Sequence, residues 1–198
     1  MNLPNKLTIC RIILVLPLIM ILTAFAILVP DYQHVNTTTS SQYYLYGAGG
    51  IFVVAMITDA VDGYLARKHH QITTFGKLFD PLADKIIVTT TLIFLAAFQY
   101  TYIPVVVIFV GRDLIVDGSR NVAASHNIKV EASFWGKLKT ICQTGAIIVL
   151  LFFIPLIDQQ SWWQLLLLNL PLLGALGCSI GSGLQYFSQI IPIISKSK

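Results

Sequence analysis

Long apolar runs alternate along this chain with short segments that collect its charge. Residues 12–30 carry no charge, and 43–58 form a second run that continues into a charged stretch. Residues 86–111 make an uncharged run of 26, followed by runs at 140–157 and 162–187. A helix needs about 20 predominantly apolar residues to cross a bilayer. The runs therefore predict transmembrane helices, and an all-α fold. The 86–111 run is long for one helix and short for two, unless its charged flanks also dip into the membrane. Its centre, QYTYIP at 99–104, reads as a turn.

Charge placement chooses between the two. With two helices at 86–111 the chain has six spans, and the N-terminus, 67–85, 112–139 and the C-terminus share one side. Those segments hold all 13 Lys and Arg residues, while the other side has Asp31 and Asp158 and no Lys or Arg. Five spans would split the basic residues between both faces. The expectation is six transmembrane helices with both termini in the cytoplasm. Tyr43, Tyr44, Trp162 and Trp163 fall near the proposed boundaries and suit interfacial anchors.

Composition adds little to that frame. The chain has 198 residues, 56% of them hydrophobic and 11% charged. Soluble domains carry about 25% charged residues, so one membrane domain over 1–198 is expected and no separate soluble module. Ala24-Phe25-Ala26 resembles a signal-peptide cleavage site, but the apolar run continues to Val29, which favours a span. Cys10, Cys142 and Cys178 show no CxxC spacing and read as packing residues. His34, His69, His70 and His126 show no metal-ligand spacing and read as loop or interfacial residues.

Four aspartates break the apolar pattern, all near one cytoplasmic turn. Asp59 and Asp62 are three apart and share a helical face, with Gly63, Ala66 and Arg67 continuing it. Eight residues, KHHQITTF, intervene; then Gly76, Asp80 and Asp84 follow at intervals of four. Two adjoining helices thus each present two carboxylates at one membrane level. Four anions there would repel and be poorly solvated, which a divalent cation relieves. Oxygen-only ligation suits Mg²⁺, Mn²⁺ or Ca²⁺. Gly63, Ala66 and Gly76 leave room for a large substrate or a facing helix, and Arg67 suits phosphate. Pro81 predicts a kink near the start of the second helix. Salt bridging to Arg67, Lys77 and Lys85 is the simpler reading, and a charge relay in a cation transporter, or a scaffold, the non-enzyme one. Relays usually sit mid-membrane, whereas these residues flank a loop.

The pattern D-x2-D-G-x2-A-R-x8-G-x3-D-x3-D over 59–84 resembles the signature of the CDP-alcohol phosphotransferases at every position. That resemblance implies a six-helix membrane enzyme, commonly dimeric, active at the cytoplasmic membrane face of a bacterial cell. It implies transfer of a substituted phosphate from a CDP-linked donor to an alcohol, with release of CMP. It makes Asp59, Asp62, Asp80 and Asp84 ligands of Mg²⁺ or Mn²⁺, two ions being expected, and Asp84 the base on the acceptor hydroxyl. Gly63, Arg67 and Thr73 would contact the CDP moiety, with Ala66 and Gly76 lining it.

Further segments point to one branch. MNLPNKLTICR, GRDLIVDGSR, GKLKT and SGLQYF resemble family members that use CDP-diacylglycerol as donor and glycerol 3-phosphate as acceptor. In these an Asn and a Thr before the first span lie by the nucleotide; here they are Asn5 and Thr8. Arg112-Asp113 departs from the Arg-Glu usual in that branch, and Ser119 replaces a Leu. An Arg-Asp pair also occurs in the CDP-using cardiolipin synthases, the alternative reading, but GKLKT and the N-terminal motif favour glycerol 3-phosphate as acceptor. Arg112 and Arg120 are eight apart, about two helical turns, and can share a face. With Lys137 and Lys139 across the next turn they could form a pocket for the acceptor's phosphate; positive-inside topology alone is the simpler explanation.

Overall fold

A computed structural model describes residues 3–29, 39–68, 74–125, 134–157 and 161–195. Among them the chain is helical throughout: α1 (Leu3–Leu28), α2 (Thr39–Lys68), α3 (Thr74–Ala97), α4 (Ile103–Ser125), α5 (Phe134–Phe153) and α6 (Trp162–Ser195). A single 3₁₀ turn, Ile154–Leu156, follows α5. For some residues inside these helices, Asn5, Ala66, Arg67, Gly76 and Asp80 among them, only the backbone is described. Thr73, Asp31, Asp158 and the four histidines lie outside the described residues. The three cysteines are free.

The uncharged run at 86–111 is indeed divided. Gln99 adopts a left-handed backbone with φ of 62°. Tyr100 N–H donates to Leu95 O at 2.9 Å and Gln99 N–H to Ala96 O at 3.0 Å. This pair of bonds is a Schellman cap, with Gln where Gly is usual. Tyr100 and Thr101 are then tied to α6. Thr101 Oγ1 lies 2.7 Å from Asn169 Oδ1, and Asn169 Nδ2 donates to Tyr100 O at 3.0 Å. The turn therefore has both a local cause and a tertiary anchor.

Four helical stretches are long and apolar enough to cross a membrane: Leu7–Leu28, Ser41–Tyr64, Phe134–Leu156 and Trp162–Tyr186. α3 and α4 have apolar halves at 86–97 and 103–111, and their other halves hold charges. The expected loops were drawn too wide. α2 begins at Thr39, α4 continues to Ser125 and α6 to Ser195, so charged segments extend the helices rather than ending them. α3 is assigned as one helix across Pro81.

Away from the charged end the helices pack through aromatic rings and small residues. Phe25 is fully buried and meets Phe98 edge-on, with centroids 4.8 Å apart. α2 approaches α5 through Gly49. A Cβ there would fall 2.7 Å from the Phe152 ring, which is itself stacked on Tyr46. Such close approach through small residues is how helices associate in lipid, where burial alone gives little drive. Gly49→Ala is expected to cost about 1–3 kcal/mol. Gly50→Ala, whose Cβ meets open space, should be neutral or slightly stabilising. Unfolding midpoints in one detergent compare the two directly, and equal midpoints would remove the steric role of Gly49.

Candidate active site

Helix direction alternates, so the start of α1, the end of α2, the start of α3, the latter half of α4, the start of α5 and the latter part of α6 converge at one end. The contacts there are ionic. Arg11 of α1, fully buried, reaches two aspartates of α2: Nη1 is 2.5 Å from Asp59 Oδ1, and Nη2 is 2.5 Å from Asp62 Oδ2. Asp62 is 4% exposed. Three-residue spacing turns both carboxylates to the same side of α2, and the forked guanidinium matches that spacing.

Asp84 of α3 lies within electrostatic range of the same group. Burial pushes its carboxyl up to about 6, and the Asp59 charge pushes the same way; Arg11, Lys139 and Lys85 oppose them. A half-buried carboxylate beside another is short of positive charge. That shortage, with oxygen as the only donor type, fits a divalent cation. Among the described residues no three acidic, His or Cys side chains already converge as a metal group. Arg11 stands between two of the expected ligands, and the Asp80 side chain is not described.

Beside Asp84 opens a cavity of about 290 Å³ between α3, α4 and α5. It is lined by Asp84, by Arg112 and Arg120, and by Lys137 and Lys139. The assigned base and all four residues assigned to the acceptor thus meet in one place. Lys85, Asp113 and Asp117 line it too. Lys139 donates to both oxygens of Asp113, at 2.8 and 2.6 Å. Arg112 donates to Asp113 Oδ1 at 2.9 Å and to Ser179 O at 3.1 Å, and also to Ser182 Oγ. Lys85 pairs with Asp117 across α3 and α4.

The family model for CDP-alcohol phosphatidyltransferases matches residues 1–174. The chain belongs to this family. Three relatives share the name CDP-diacylglycerol–glycerol-3-phosphate 3-phosphatidyltransferase. The Bacillus subtilis protein is 37% identical over 190 residues, covering 95% of this chain and 94% of its own. The Mycoplasma pneumoniae protein is 40% identical over 154 residues, 76% of this chain and 68% of its own. The Rickettsia typhi protein is 37% identical over 151 residues, 76% of each chain.

Within this CDP-alcohol phosphatidyltransferase, the expected nucleotide residues are only partly described. Thr8 is buried in the first turns of α1, and Gly63 is half-buried beside Asp62. Asn5, Ala66, Arg67 and Gly76 have helical backbone only, and Thr73 lies outside. Arg11 was read from sequence only as an inside charge. A signal was present: Asn5, Thr8 and Arg11 recur every three residues, so they share one side of α1. Asp113 and Asp117, a spaced pair like Asp80 and Asp84, were not assigned a site role either. Ser179, Ser182 and Tyr186 recur at three and four residues on α6; Ser182 and Tyr186 belong to the SGLQYF segment, which carries a resemblance but no expected site role.

Proposed function

We propose that this CDP-alcohol phosphatidyltransferase transfers the phosphatidyl group of CDP-diacylglycerol to the 1-hydroxyl of sn-glycerol 3-phosphate. The products are phosphatidylglycerophosphate and CMP. The observation that carries this reading is the cavity joining Asp84 to four cationic side chains. A half-buried carboxylate beside a basic pocket suits an acceptor with a hydroxyl at one end and a phosphate at the other. The names and coverage of the relatives support the same substrates.

The residues divide the work. Arg112, Arg120, Lys137 and Lys139 hold the acceptor's phosphate and so aim its hydroxyl toward Asp84. Asp84 takes the hydroxyl proton on its carboxylate as the oxygen attacks the β-phosphorus, and CMP departs with the bridging oxygen. Asp59, Asp62, Asp80 and Asp84 would hold Mg²⁺ or Mn²⁺, two ions in our reading, which supplies positive charge to the diphosphate. Asn5, Thr8, Gly63, Ala66, Arg67, Thr73 and Gly76 form the donor's nucleotide site. All six helices cross the bacterial cytoplasmic membrane, both termini and the site face the cytoplasm, and the enzyme is a homodimer. The charge map supports that orientation, since soluble CMP can leave while the lipid donor stays in the bilayer.

The Arg112-Asp113 pair favours one second reading, with phosphatidylglycerol as acceptor. Detergent-solubilised protein with CDP-diacylglycerol and Mg²⁺ or Mn²⁺ separates the two. CMP release should require glycerol 3-phosphate, should not occur with phosphatidylglycerol, and should stop with chelator. The reverse acceptor pattern would make this a cardiolipin synthase. No metal-dependent CMP with any alcohol would sink the transferase reading.

A further inference from the structure

The charged side chains of the cavity are not equally available to a ligand. Lys85 is paired with Asp117. Lys139 and Arg112 share Asp113, and Arg112 is further held by Ser179 and Ser182. Arg120 differs. Its Nη2 donates to the Tyr186 hydroxyl, and its guanidinium lies over the Tyr186 ring, 4.7 Å from the centroid. Among the described residues it has no carboxylate partner, and its buried Nε has no hydrogen-bond partner. A buried donor without an acceptor is costly, and an anion in the cavity is what would satisfy it. Tyr186 is itself only 2% exposed, so its ring is fixed by packing.

We propose that Tyr186 is a positioning residue for the acceptor phosphate, holding Arg120 at the cavity wall without cancelling its charge. A neutral phenol orients a guanidinium and leaves it electrostatically open; a carboxylate in its place would neutralise it. Arg112 meets the phosphate with its charge shared by Asp113 and its position set by α6, whereas Arg120 meets it with its charge uncancelled. Ser182 and Tyr186, four apart on α6, meet Arg112 and Arg120, eight apart on α4. This rests on the reading that the cavity receives glycerol 3-phosphate.

Kinetics of Tyr186→Phe and Tyr186→Glu test it. Phe keeps the ring and removes the oxygen. It should raise KM for glycerol 3-phosphate about tenfold, the scale of one hydrogen bond to a charged group. Its kcat, its KM for CDP-diacylglycerol and its unfolding midpoint should stay near wild type. Glu should raise the acceptor KM at least as much as Phe does, because it cancels the Arg120 charge. An unchanged acceptor KM in the Phe variant would overturn the proposal. So would equal rises in both KM values, or a loss confined to kcat. If the wild type gives no CMP with glycerol 3-phosphate, the reaction reading fails instead. Inorganic phosphate binding, weaker in Tyr186→Phe than in wild type, then still supports Tyr186, and equal binding refutes it.

Discussion

Asp84→Asn should lower CMP release by about a thousandfold while leaving the protein folded. General bases typically contribute 10²- to 10⁴-fold, and an amide of the same shape takes no proton. Excess Mg²⁺ can refill a weakened cation site but cannot restore the lost base, so the residual activity should not recover with it. Folding should survive for a physical reason. In the metal-free protein the Asp84 carboxyl is raised from an ordinary 3.8 to about 6, chiefly by burial. A raised carboxyl contributes stability below the unfolded value and loses it as pH rises through the folded one. In chelator, this group therefore makes the wild type less stable at pH 8 than at pH 4, and Asn, always neutral, removes that slope. Unfolding midpoints across pH in chelator, beside a CMP-release assay, check both halves. Retained turnover would take Asp84 out of the base role. An unchanged slope would mean that its burial costs less than the geometry implies.

Sequence spacing gave what depends on one helix at a time. The turn at 99–104 was visible because a 26-residue uncharged run cannot hold two helices without one. The pairing of Asp59 with Asp62, and of Arg112 with Arg120, followed from helical periodicity. Contacts between helices were not legible. Arg11 meets Asp62 across 51 residues, Arg112 meets Ser182 across 70, and Arg120 meets Tyr186 across 66. Such pairs are set by how the helices pack, which periodicity does not encode. Helix ends were misjudged for a related reason. Charge marks where a segment leaves lipid, but backbone hydrogen bonding continues past that level, as α4 does to Ser125. The acceptor pocket stands between these cases. Its four cations were named from position on helices, while the pairing of Asp113 with Arg112 and Lys139, and of Asp117 with Lys85, is set by the packing.

Arg11→Met is expected to destabilise the protein by about 3 kcal/mol, a fall of roughly 10 °C in Tm for a chain of this size. The loss comes mainly from Asp62. Arg11 is fully buried and Asp62 is 4% exposed, so the substitution takes a buried counter-charge from a buried carboxylate. The Asp59 pair adds little, because that side chain is 43% exposed and water screens it. Arg11→Lys should recover only part, since one ammonium cannot fork to both carboxylates. Two further measurements separate charge from packing. Excess Mg²⁺ should narrow the gap to wild type, because a cation at the aspartates replaces the lost charge. Adding Asp62→Asn to Arg11→Met should cost less than the sum of the single changes, as it removes the carboxylate that has lost the Arg11 counter-charge. A Tm loss that is identical with chelator and with Mg²⁺, and additive with Asp62→Asn, would show that Arg11 only fills space between α1 and α2.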